Sequence, residues 1–187
     1  AYFDNIKIAV KRGRHQKVKK MLDRYYLNKC KKSKTHLKID EEKQHELMIC
    51  AAKSNIETIK VLLGNGCILS VDMLKEATLS KYSLRQYTVV KFLLERIHKF
   101  TNIDEINQLL FDVSSEEMFN LFLEKYPLDI NYMWRGESIL TYKLKNSENI
   151  KPSVDYFIKK GIDVNIGSVK YILIYVLGCI HTDLNLH

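Results

Sequence analysis

The chain has 187 residues, 46% of them hydrophobic and 28% charged, which excludes a disordered chain and fits a folded core. Its 7 Gly and 2 Pro are too few for a many-stranded β fold, and no run of 18 apolar residues exists, so no membrane-spanning helix is expected. The net charge of +8 is uneven: residues 1–38 carry 13 Lys or Arg against two Asp, +11, whereas the remainder sums to −3.

Along the chain, pairs of large apolar residues close successive helical stretches: Met21-Leu22, Leu62-Leu63, Leu93-Leu94, Phe122-Leu123 and Phe157-Ile158. Their mean spacing is 34 residues, the period of a helical repeat array. The first unit, about 4–28, reads as a helix around Ile6–Val10, a turn at Gly13 and a second helix around Val18–Leu22. A basic insertion is expected at 29–43. The second unit, 44–70, is the clearest. His45–Ala52 forms one helix, Lys53-Ser54-Asn55 breaks it, Ile56–Leu63 forms the next, and Gly64-Asn65-Gly66 supplies a left-handed cap. The third unit, 72–100, carries extra residues near Lys81–Tyr87. The fourth, 104–131, has Leu109-Leu110-Phe111 where the second has Ala51-Ala52, and Ser114 or Ser115 before Glu116-Glu117 marks a helix start. The fifth spans 136–165, and a partial sixth covers 168–187. Because the chain opens on Ala1 and stops within that sixth unit, a longer parent protein is expected.

Lys160-Gly161-Ile162-Asp163-Val164-Asn165, Leu128-Asp129-Ile130-Asn131, Cys50-Ala51-Ala52 and Val61-Leu62-Leu63 together resemble the ankyrin repeat. That family has a helix ending in Ala-Ala, a short turn, a Val-x-x-Leu-Leu helix and a Gly-Ala-Asp-Val-Asn exit. The resemblance covers roughly residues 4–180, although no unit carries an intact Thr-Pro-Leu-His. It implies an all-α ankyrin-repeat solenoid of about five and a half helix-turn-helix repeats with short hairpin connections, in one array. Richness in Lys, Ile, Asn and Tyr is similar to ankyrin proteins of large DNA viruses or intracellular bacteria.

In such proteins contacts come from hairpin tips and the inner face of each first helix. By resemblance these are Tyr132, Met133, Trp134 and Arg135 at a tip, with Trp134 expected in an exposed turn, and Lys11, Arg12, Lys53 and Lys145 on the inner face. With Arg14, Lys17 and Lys20 nearby, a basic ridge is expected at the start of the array. Trp, Tyr and Arg are the residue types enriched at interface hot spots. Lys29, Lys31, Lys32 and Lys34 form a basic patch in an expected loop. Four cysteines at wide spacing, without a Cys-x-x-Cys pair, point to a reducing compartment. No phosphate loop, metal motif or acid–base constellation is legible, so no enzyme activity, metal or cofactor is expected. The expected function is a protein–protein scaffold for a host or cellular regulatory protein, in the cytoplasm or in a host-cell cytoplasm or nucleus. The alternatives are a nucleic-acid or anionic-surface binder using residues 7–38 and the targeting module of a larger effector enzyme.

Overall fold

The computed structural model describes residues 2–32, 39–80, 84–97, 103–113, 115–146 and 150–167. Lys34 and the expected partial sixth unit, with its apolar stretch 171–180, lie outside these residues. The described residues are mostly helical, with ten α-helices and one two-stranded hairpin. No helix among them is long and apolar enough to cross a membrane. The chain divides into two compact units, Ala1–Phe100 and Thr101–His187.

The first unit holds α1 (Tyr2–Lys11), α2 (His15–Lys32), α3 (Glu41–Ala52), α4 (Ile56–Gly64), α5 (Val71–Leu79) and α6 (Leu84–Leu94). They form three pairs, α1 with α2, α3 with α4 and α5 with α6. The leading helices α1, α3 and α5 pack in one row, and α2, α4 and α6 in another. Between the rows Ile6, Val18, Leu22, Leu47, Ala51, Ile59, Leu62, Leu74, Ala77, Val89 and Leu93 are all buried. No single pair could hide this surface alone, so burial against the neighbours is what stabilises each helix.

Turn chemistry sets the pairs. After α1, Gly13 takes φ +63, its N–H donates to Val10 O, and Arg14 N–H donates to Ala9 O. After α4, Gly66 at φ +84 donates to Leu63 O and Cys67 N–H to Leu62 O. Both are Schellman closures, which need the left-handed residue that glycine supplies without steric penalty. Asn55 caps α4 by accepting from Thr58 N–H at 2.9 Å, and its Nδ2 donates to Gly13 O at 3.0 Å, tying the second pair to the first. Gln86, buried in α6, donates to Ala52 O and Ala77 O at 3.2 and 2.7 Å, where α3 and α5 run out of intrahelical donors.

The second unit holds α7 (Ile103–Asp112), α8 (Glu116–Lys125), strands β1 (Met133–Trp134) and β2 (Glu137–Ser138), α9 (Ile139–Asn146) and α10 (Ile150–Lys159). Ser115 is the N-cap of α8, accepting from Met118 N–H. The two Asp-x-Asn segments repeat one geometry. Asp129 Oδ1 accepts from Asn131 N–H, and Asp163 Oδ1 from Asn165 N–H, at 2.8 and 2.9 Å. The next rung is a side chain as well: Asn131 Oδ1 accepts Asp163 N–H at 2.7 Å, and Asn107 Oδ1 accepts Asp129 N–H at 3.1 Å. Gly161 at φ +86 closes α10 as Gly66 closes α4, with Ile162 N–H on Phe157 O.

One local expectation is corrected. The segment 29–43 is not a loop throughout: α2 runs to Lys32, and α3 starts at Glu41 behind the Asp40 N-cap. No Gly or Pro stops α2 in this stretch, and lysines favour both helix formation and the negative end of the dipole. In the third unit Leu84–Tyr87 form the start of α6, and residues 81–83 lie outside the described residues.

Asn55→Ala should cost about 1–2 kcal/mol, as it removes a helix cap and the tie to Gly13 together. Asn55→Asp keeps the cap oxygen and loses only the donor, so its urea midpoint should fall between Ala and wild type.

Candidate functional site

The expected tip is a hairpin whose register pairs Met133 with Ser138 and Trp134 with Glu137. Arg135 and Gly136 make the turn, both with positive φ, +53 and +78. That is the type I′ geometry of two-residue hairpins, which prefers Asn-Gly. Arg in the left-handed region is strained by about 1 kcal/mol, an observation that points to use. Its guanidinium lies 4.7 Å from the Trp134 ring centroid, and the residue is exposed. Stacking holds the cation in place at the tip.

Trp134 does not sit free in the turn as expected. It is half-buried, edge-on to Phe111 of α7 at 5.5 Å and 6.4 Å from Tyr142 of α9. An indole is too large and apolar to stay in water when two aromatic rings lie within reach. Tyr132 is half-buried and Met133 exposed. Lys145 forms an ion pair with Glu137 of the same hairpin.

The basic residues of the first unit do not form one ridge. Lys7 and Lys11, four apart on α1, line a cavity of about 740 Å³ with His45, Glu46 and Lys53. There Lys7 pairs with Glu46 and Lys53 with Glu76, while His45 Nε2 lies 3.4 Å from Asp72 Oδ2. Arg12 and Arg14 lie instead with Lys17 around a second cavity floored by Ile8 and Met21. Helical geometry explains the split: Lys11 and Arg12 are adjacent, so about 100° separates them around the axis. Lys29, Lys31 and Lys32 belong to the last turns of α2.

One residue that the sequence reading does not single out is Lys143. Its amine donates to Phe111 O at 2.7 Å and to Val113 O, capping the C-terminal end of α7. Burial pushes its pKa down to about 8, partly opposed by the Asp112 carboxylate. The signal was its spacing: Lys143 falls three residues after Leu140 and beside Leu144, at the edge of the apolar face of α9. Tyr156, which donates to Asn120 Oδ1 at 2.9 Å, has its hydroxyl pushed up to about 12 by burial and by Glu116 and Glu117. Cys50 and Cys67 are buried free thiols, and burial raises Cys67 to about 11, which keeps it protonated. Among the described residues no cluster of His, Cys, Asp or Glu could hold a metal ion.

No family model, no curated protein and no solved structure matches this chain.

Arg135→Gly should stay within about 0.5 kcal/mol of wild type, because relief of left-handed strain offsets the lost cation–π contact. Trp134→Ala should cost about 2 kcal/mol by emptying the aromatic contact, and thermal melting of the two variants separates these effects. Lys143 also sets a pH slope. Its folded pKa lies below its unfolded one, so the unfolded chain binds the extra proton and stability rises between pH 8 and about 10, by roughly 2–3 kcal/mol. Urea midpoints across that window should rise in wild type and flatten in Lys143→Met.

Proposed function

We propose that this chain is a non-catalytic protein-recognition scaffold of the ankyrin-repeat type, built from about five and a half repeats. Support comes from the paired helices in two rows, the Gly-closed helix ends, and the Asp-x-Asn turns linked one to the next. The observation that carries the recognition role is the strained, exposed Arg135 stacked on Trp134 at the end of a hairpin. A guanidinium fixed in direction loses little freedom on meeting a carboxylate, so an acidic patch on a folded protein suits it. The partner proposed is a host or cellular regulatory protein, met in the cytoplasm or nucleus.

A second reading draws on Arg12, Arg14 and Lys17, whose shared cavity is lined by no carboxylate among the described residues. Such a group suits the phosphates of a nucleic acid or another anionic surface.

The test is affinity capture from cell extract on the immobilised chain, with and without nuclease and high salt, comparing wild type with Arg135→Gly. Retention of a protein through both treatments is expected, falling about tenfold or more in Arg135→Gly, the effect of a hot-spot residue. Retention unchanged in Arg135→Gly removes the tip from the interface. Recovery of only nuclease-sensitive, salt-labile material supports the anionic reading instead.

A further inference from the structure

Lys143 does more than close a helix end. The same side chain forms part of the wall of a cavity of about 350 Å³ inside the second unit, with Phe111, Asp112, Glu116, Tyr142 and Tyr156. That volume is at the small end of ligand cavities. The aromatic lining falls into two groups, Phe111 edge-on to Tyr142 at 5.4 Å and Phe119 edge-on to Tyr156 at 5.9 Å, so flat apolar surface is offered to a planar guest.

The bonding of the amine determines its chemistry. A neutral amine has two N–H bonds and one lone pair. The carbonyls of Phe111 and Val113 take two donors, which leaves the lone pair directed away from the end of α7. Burial makes the neutral form accessible, with about a tenth of the amine deprotonated at pH 7 if its pKa is about 8. Exposed lysines lack this environment and stay protonated.

We propose that Lys143 is a nucleophilic amine that forms a reversible imine with a small aromatic aldehyde entering this cavity. The Nζ lone pair adds to the carbonyl carbon, and the C=O π pair moves to oxygen, which takes a proton. Asp112 and Glu116, from α7 and α8, are the carboxylates lining the cavity that can pass the proton from nitrogen to oxygen. Departure of that oxygen as water, with loss of the second nitrogen proton, leaves the C=N bond. Addition of water reverses each step, so no oxidant or reductant is needed.

The experiment exposes the full folded chain to limiting benzaldehyde between pH 6 and 9, traps imines with borohydride, and maps the benzylated lysines by peptide mass spectrometry. Lys143 is expected to be labelled about tenfold faster than surface lysines at pH 7, with a midpoint near pH 8. Chain unfolded in urea should lose that preference, and Lys143→Arg should lose only that adduct. Labelling of Lys143 no faster than its surface counterparts, or seen only in urea, overturns the proposal and leaves a purely capping amine. The wild-type comparison decides the question even if the variant fails to fold.

Discussion

Everything in this molecule depends on how the polar backbone at its turns is satisfied. A helix pair must expose unpaired N–H and C=O groups where the chain reverses, and stacking pairs together threatens to bury them. Here side-chain amides from the neighbouring pair meet that need. Asn55 bonds Gly13 O, Gln86 bonds Ala52 O and Ala77 O, and Asn131 accepts from Asp163 N–H. Apart from Gln86 to Ala77 O, which closes its own pair, each of these bonds does two jobs, satisfying a turn and fixing the register of adjacent pairs. Apolar burial then stabilises an arrangement whose spacing the amides have already defined.

The hairpin of the second unit follows a different logic. Its turn places a bulky cation in a backbone region that most residues avoid, while the tryptophan beneath it is drawn onto Phe111 and Tyr142. Anchor and presented group are therefore neighbouring residues with opposite surroundings. The indole contributes its energy to the fold, and the guanidinium is left for solvent and for whatever approaches. Lys143 shows the reverse case, a charged side chain drawn inward because two helix-end carbonyls receive it.

Much of the architecture was legible in the chain. Glycine placement announced the closure at Gly66 and the turn at Gly13, since a left-handed residue after an apolar helix has few other uses. The 34-residue spacing pointed to paired helices, and Ser114 or Ser115 before two glutamates marked the start of α8, whose N-cap is Ser115. The misses have a common cause. Where local propensity alone speaks, as in the lysine-rich end of α2, polarity was mistaken for a loop. Trp134 and the basic residues depended on which side chains came together across helices, and a period along the chain does not encode that. Gln86 was invisible because a buried polar residue looks, in sequence, like an exposed one, and Lys143 offered only its place at the edge of the apolar face of α9.

The amide links that join consecutive pairs also set how far a disturbance travels. Asn55 reaches only to Gly13, and Asn131 only to Asp163, so each link spans a single step of the stack. A change at one turn strains the adjoining step and little beyond it. The Arg135–Gly136 turn carries no such link among the described hydrogen bonds. Gly136 is held by its left-handed backbone, but the side chain at Arg135 can change among residues that tolerate such a turn while the architecture beneath holds still, which is how a rigid frame acquires new specificities without being rebuilt.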